Sequence, residues 1–419
     1  MLLQKILKLA YDGRYIFLST IFEKITFFIV FLLIARSYPG SYYGYIVTVF
    51  AIANIVYAFF ELGFSVYFQR ISASDRESLS ENVSAAVMAQ LLLLPLYMLA
   101  NILILNTFTH APADLIVVLP VWLGIYGLGF GTLFTSVLYG RGEYSRASLY
   151  LLLSRLGLII VFVLMFMAGG LARKLVFPVF FPACLIQLAL SLRYLGEKGL
   201  KIRIGPWNLK QAGRILRSSL PTGAAALLVL LYDRADVVLI GRYISFRAVA
   251  VYSIAYSLYK LSQVIAPVLL VPAFSRFSKA YARNGTILMT DLREISVSLS
   301  IMSILIAFYL IVFPEFLIRF TFGGEYLESV TYLKLLALAV PGLFLNNLTG
   351  VIANAVGREK YPLFTTFAGA VVNITINVIF LRYSGIMAAV AATIAAEYLV
   401  FAAQAAMLLR LNQKKKIIC

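Results

Sequence analysis

About twelve apolar runs of roughly 20 residues, separated by short polar loops, dominate this chain and restrict what it can fold into. Hydrocarbon offers no water to satisfy backbone N–H and C=O groups, so a spanning segment must bond internally, as a helix does. The runs lie near 15–37, 42–67, 82–106, 113–138, 147–169 and 173–193, then near 218–241, 248–273, 291–313, 329–355, 361–382 and 386–410. Hydrophobic residues make up 62% of the 419 residues and charged ones only 13%. A soluble chain of this length needs far more polar surface. The expected fold class is an all-α polytopic membrane protein of about 12 transmembrane helices.

The net charge is +18, but the basic residues gather in short loops between apolar runs. That pattern indicates anionic lipid headgroups and membrane orientation, and argues against nucleic acid as a partner. Most of the Lys and Arg outside the spans lie in the loops that share a side with both termini. Both termini are therefore expected on the cytoplasmic side. The longest polar stretch, 194–217, holds Lys198, Lys201, Arg203, Lys210, Arg214 and Arg217. Against these stand Trp207, Leu209, Ala212, Ile215 and Leu216, the pattern of an interfacial amphipathic helix. It divides the chain into an N-terminal lobe, 1–193, and a C-terminal lobe, 218–419, of six helices each. Residues 1–14 carry Lys5 and Lys8 without a cleavage site and read as an interfacial lead-in helix. Cys184 and Cys419 give neither a disulfide framework nor a metal cluster.

The two lobes carry matching landmarks. Arg36 and Arg70 close the first two runs, and Arg242 and Arg276 close the seventh and eighth at the same separation. Gly140-Arg141-Gly142-Glu143-Tyr144 follows the fourth run, and Gly357-Arg358-Glu359-Lys360-Tyr361 follows the tenth. An internal repeat of six helices with one topology would relate the halves by an axis along the membrane normal.

Charges inside the runs are the candidate functional residues. Each costs roughly 2.5–3.5 kcal/mol at mid-bilayer, so such residues face a cavity, a partner or a substrate. They are Glu23-Lys24, Glu61, Arg155, Asp233-Arg234-Ala235-Asp236, Lys260 and Glu397, with Lys334 near the end of its run, close enough to snorkel. Lys24, Arg155, Arg234 and Lys260 would attract an anionic headgroup, arginine through a planar fork that suits phosphate. Glu61, Asp233 and Asp236 would neutralise these bases or bind a coupling proton or sodium ion. Internal ion pairs that hold helices together are the competing reading, as is helix packing for Glu397. The amides Asn346, Asn347, Asn373, Asn377, Gln90, Gln187 and Gln263 suit interhelical hydrogen bonds better than sugar binding.

Enzyme motifs are mostly absent: there is no phosphate-binding loop and no zinc spacing, and no cofactor is expected. The only histidine, His110, lies in a short loop with Asp114 nearby and reads as a solvated residue.

The chain resembles the Wzx-type polysaccharide flippases of the multidrug/oligosaccharidyl-lipid/polysaccharide exporter superfamily. The resemblance rests on Ala35-Arg36-Ser37-Tyr38-Pro39-Gly40-Ser41-Tyr42-Tyr43-Gly44-Tyr45 followed by Phe60-Glu61-Leu62-Gly63-Phe64-Ser65. In the second half it rests on Asp236-Val237-Val238-Leu239-Ile240-Gly241 before Ala250-Val251-Tyr252-Ser253-Ile254-Ala255, and on Phe322-Gly323-Gly324-Glu325-Tyr326. Late in the chain, Asn373-Ile374-Thr375-Ile376-Asn377 leads through Gly385-Ile386 to Ala388-Ala389-Val390-Ala391-Ala392-Thr393. The order and spacing of these motifs along nearly the whole chain are their specific part.

The resemblance implies two lobes around a central cavity, alternating access, and a polyprenyl pyrophosphate-linked oligosaccharide as cargo. It implies cell-surface polysaccharide biosynthesis at the cytoplasmic membrane, with a polysaccharide polymerase as a partner. Twelve helices fit the repeat-unit flippases better than the lipid II flippases, which usually have fourteen. An ion-coupled multidrug exporter of the same superfamily is the main alternative. A membrane glycan polymerase or ligase is the third, disfavoured by the short outer loops.

Overall fold

The computed structural model describes residues 2–74, 79–109, 113–169, 176–200, 209–415 and 417. His110, Lys201, Arg203, Trp207 and Cys419 lie outside them, and the side chains of Lys5, Lys8, Lys210 and Arg214 are not described.

Nearly all of the described residues are helical, and no β-strand occurs among them. The helices are α1 (Leu2–Ser37), α2 (Gly40–Glu61), α3 (Phe64–Ser74), α4 (Leu79–Thr109), α5 (Leu115–Gly140), α6 (Tyr144–Ala168), α7 (Val176–Glu197) and α8 (Leu209–Tyr243). They continue with α9 (Phe246–Leu261), α10 (Ala266–Asn284), α11 (Met289–Val312), α12 (Pro314–Thr321), α13 (Ser329–Leu336), α14 (Val340–Ala355), α15 (Lys360–Ser384) and α16 (Ile386–Lys415). Among the described residues ten helices are long and apolar enough to cross a membrane, or eleven if the bent pair α9–α10 is one span. At 35 residues α8 is long enough, at about 50 Å, to cross as well. Asp233, Arg234 and Asp236 in its second half lower its hydropathy, and it covers the residues of the seventh expected span without being apolar enough to count among the ten.

Two of the expected spans are broken. The run at 42–67 stops at Glu61, where Leu62 and Gly63 take positive φ values of 55° and 77°. The Glu61 carboxylate accepts the backbone N–H groups of Gly63 (2.7 Å) and Ser65 (2.6 Å) and so caps the start of α3. A carboxylate there also meets the positive end of the helix dipole. The run at 248–273 bends by 41° between α9 and α10, through a 3₁₀ turn at Ser262–Val264. Pro267, at the start of α10, lacks an N–H and its ring crowds the preceding turn, so a straight helix cannot continue.

The chain divides into two compact units, residues 1–37 with 48–230 and residues 38–47 with 231–419. The second boundary falls within α8. In the first unit, α5, α6 and α7 pack along one another, α1 lies on α6, and α3 on α5. Buried Phe50, Phe162 and Phe180 meet edge to face in its core. Asp114 accepts the Ile116 N–H at 3.1 Å and caps α5, so its role is structural.

In the second unit, α14, α15 and α16 form one packed group, with α10 and α11 on α14 and α13 on α9. The opening turns of α2 belong to this unit. Gly40 N–H and Arg247 Nη1 both donate to Glu325 Oε1, at 3.1 and 3.0 Å, and Arg247 Nη2 donates to the Glu325 carbonyl at 2.7 Å. Burial, with the Glu325 carboxylate alongside, pushes the Tyr326 hydroxyl up to about 12, so this phenol stays neutral under its Arg247 neighbour. A Cβ on Gly44 would overlap the Phe246 carbonyl oxygen. Gly44→Ala is therefore expected to cost about 1–3 kcal/mol, the usual range for overpacking, read as a lower melting temperature of the purified protein.

Candidate functional site

The polar heart of the second unit is built on one face of α9. Tyr252, Tyr256 and Tyr259 follow the i, i+4, i+7 spacing that stacks side chains along a helix. Successive rings lie 5.5 and 5.6 Å apart. Each hydroxyl donates to a different acid. Tyr252 donates to Asp236 at 2.6 Å, Tyr256 to Asp233 at 3.3 Å, and Tyr259 to Glu397 at 3.1 Å.

Asp236 is 2% exposed, and its hydrogen-bond partners among the described residues are neutral. Besides Tyr252, Asn377 Nδ2 donates at 2.8 Å and Thr393 Oγ1 at 3.3 Å. Asn377 Nδ2 also donates to the Asn373 carbonyl and Oδ1, while its own Oδ1 is buried without a hydrogen bond. α8, α9, α15 and α16 thus converge on one carboxylate.

Asp233 and Lys260 form an ion pair, Nζ to Oδ1 at 2.8 Å, with side chains 36% and 21% exposed. The Lys260 ammonium lies 5.5, 5.8 and 6.0 Å from the ring centres of Tyr256, Tyr259 and Tyr232, within cation–π range. Arg234, the next residue on α8, is half-buried and makes no ion pair or hydrogen bond among the described residues. Glu397, 1% exposed, also accepts Asn346 Nδ2 at 3.1 Å. From Asn346 the network runs through Gln404 to Thr349 and Thr365.

The charges of the first unit are arranged differently. Arg155 is 2% exposed and gives its Nη2 to Glu23 Oε1 at 2.5 Å, with its guanidinium over the Phe27 ring. Arg155 Nε and Nη1 have no hydrogen-bond partner among the described residues. Lys24, one position after Glu23, is exposed on α1. Gln187 donates to Thr135, tying α7 to α5.

The structure therefore joins Asp233 to Lys260, sets Arg234 and Asp236 beside them on α8, pairs Arg155 with Glu23, and makes Glu61 a helix cap. Sequence reasoning missed the three tyrosines of α9, although their i, i+4, i+7 spacing was visible beside Lys260. Asn346, expected to make an interhelical hydrogen bond, makes one to Glu397; Thr393 and Gln404, the other partners on distant helices, were missed as partners, because no local pattern marks them.

The site thus lies within a multi-pass helical bundle that buries paired acids and bases. A multidrug resistance MATE family transporter of the MOP superfamily, in its inward-facing conformation, superposes with a TM-score of 0.71 at 16% identity, over 94% of this chain and 96% of that one. The lipid II flippase MurJ, in an inward closed conformation, superposes with a TM-score of 0.77 at 16% identity, over 94% of this chain and 87% of that one. At such identities the likeness is one of fold. No curated protein sequence matches the chain significantly.

The family is fixed by sequence models. The polysaccharide biosynthesis protein model matches residues 9–278, well over half of the chain, and the MatE model matches residues 221–379. The chain belongs to the polysaccharide biosynthesis protein family.

Proposed function

We propose that this protein is a flippase that moves a polyprenyl pyrophosphate-linked oligosaccharide across the cytoplasmic membrane by alternating access. The lobes 1–193 and 218–419 would rearrange about the connector 194–217, with both termini cytoplasmic, and the product would pass to a polysaccharide polymerase. The observation that carries the reading is Arg234: a half-buried guanidinium with no ion pair among the described residues, beside the Lys260–Asp233 pair. A planar fork on a low-dielectric surface is suited to a phosphate, and a vacant one has its donors available. The family description and the fold shared with a lipid II flippase support this cargo class.

Lys24 and Arg155 complete the cationic set of the reading. Arg155 would act once its bond to Glu23 opens, since it is otherwise buried. Among the acids, Asp233 balances Lys260, and the N-terminus of α3 balances Glu61. Asp236 is the candidate seat of a coupling proton or sodium ion. Asp233, Asp236 and Glu397 outnumber Arg234 and Lys260 by one charge, and a buried excess of negative charge favours uptake of one cation. Among the described residues Asp236 makes no ion pair, and Asn377 Oδ1, which has no hydrogen-bond partner among them, provides a further oxygen close by.

A strain lacking this protein should accumulate lipid-linked oligosaccharide on the cytoplasmic face, and the wild-type chain should clear it. Arg234→Glu should fail to restore export. Losing a charge-assisted bidentate contact of about 1.5–3 kcal/mol corresponds to roughly a ten- to hundredfold fall in transport. Intact export by Arg234→Glu would remove Arg234 from the cargo path.

The MatE match favours a second reading, an ion-coupled multidrug exporter. Efflux of cationic dyes by cells expressing the protein, absent from cells that lack it, would establish that reading instead.

A further inference from the structure

Lys260 sits where a small organic cation would bind. Three tyrosine rings within 6.0 Å and a carboxylate at 2.8 Å surround its ammonium group. A second carboxylate, Glu397, is held next to the cage by Tyr259. Rings whose faces carry negative charge density, backed by acids, are the chemistry that recognises alkylammonium and quaternary ammonium groups. In this protein the recognised cation is part of the chain.

We propose that Lys260 is a tethered cation that fills an aromatic, acidic receptor and thereby excludes cationic cargo from the C-terminal unit. A tethered group acts at an effective concentration of millimolar or more, so a free cation competes poorly with it. One side chain would then set the sign of the cargo: present, it offers a positive charge; absent, it leaves a cation receptor. The inference concerns what occupies the receptor and does not depend on which glycan is carried.

The experiment restores the missing side chain with a free ligand. Lys260→Ala removes the three outer methylenes and the ammonium, a fragment that n-propylammonium reproduces. Melting temperatures of purified wild type, Lys260→Ala and Lys260→Met are measured with added n-propylammonium chloride, 1-propanol or sodium chloride at matched ionic strength. The expected result is that n-propylammonium alone restores most of the stability lost by Lys260→Ala. Its binding to that variant should be about tenfold or more tighter than to wild type. Lys260→Met keeps the stem in the cage without its charge and should not respond. Equal recovery with 1-propanol, or no recovery by either, would overturn the proposal, because the site would then be a packing position. Equal stabilisation of all three proteins by the amine would overturn it as well. If Lys260→Ala is recovered from membranes only with n-propylammonium present, the proposal is supported, and recovery under neither condition rejects it.

Discussion

Asp236→Asn is expected to reduce glycan export by roughly ten- to hundredfold while leaving the protein folded. The carboxylate accepts hydrogen bonds from Tyr252, Asn377 and Thr393, three neutral donors on three helices. An asparagine of the same shape keeps one acceptor oxygen and turns its amide toward groups that are themselves donors. It also removes the negative charge that would hold a coupling cation. A bond to a charged group is worth about 1.5–3 kcal/mol, which sets the size of the effect. Export is measured as glycan on the cell surface, and folding as the elution profile and melting temperature of the purified variant. The wild-type melting temperature should respond to the coupling cation, to sodium against choline or to pH, and whichever response disappears in Asp236→Asn identifies that cation. Wild-type export by Asp236→Asn would remove the coupling role.

Glu23→Gln is expected to destabilise the first unit by about 3 kcal/mol, because it leaves the buried Arg155 without the one carboxylate partner it has among the described residues. This lies at the low end of the range for breaking a buried pair, since Glu23 itself is 38% exposed and partly screened by solvent. Arg155→Met should cost less, for the charge left behind is then the more exposed one. The double variant Glu23→Gln/Arg155→Met should recover much of the loss, because neutral groups replacing both partners remove the uncompensated charge. Melting temperatures of the four proteins give the coupling directly. Additive effects would mean that the two side chains act independently, and Arg155 would then be available to an anionic cargo without first leaving Glu23.

Part of this site was legible in the sequence for a definite reason. A charge within an apolar run is conspicuous, so Glu23, Arg155, Asp233, Asp236, Lys260 and Glu397 could be picked out one by one. The paired asparagines of α15 were visible too, and Asn373 and Asn377 do bond to each other across one turn. Partners on distant helices left no such mark. Glu23 meets Arg155 across 132 positions, and Asp236 meets Asn377 across 141 and Thr393 across 157. No periodicity encodes a contact of that span.

The sequence by itself determined that the chain is a helical membrane protein, and roughly where its spans lie. Hydrocarbon leaves an apolar run of that length no alternative to the helix. The two broken spans were within reach as well, since Gly63 and Pro267 are the residues at which a helix most readily stops or bends. Only the tertiary structure decided which charges neutralise one another. It joined Lys260 to Asp233 inside a cage of tyrosines, buried Arg155 on Glu23, made Glu61 a cap, and left Arg234 without an ion pair among the described residues. The reason is physical: what a buried charge does depends on the groups within a few ångströms of it, and packing alone selects those.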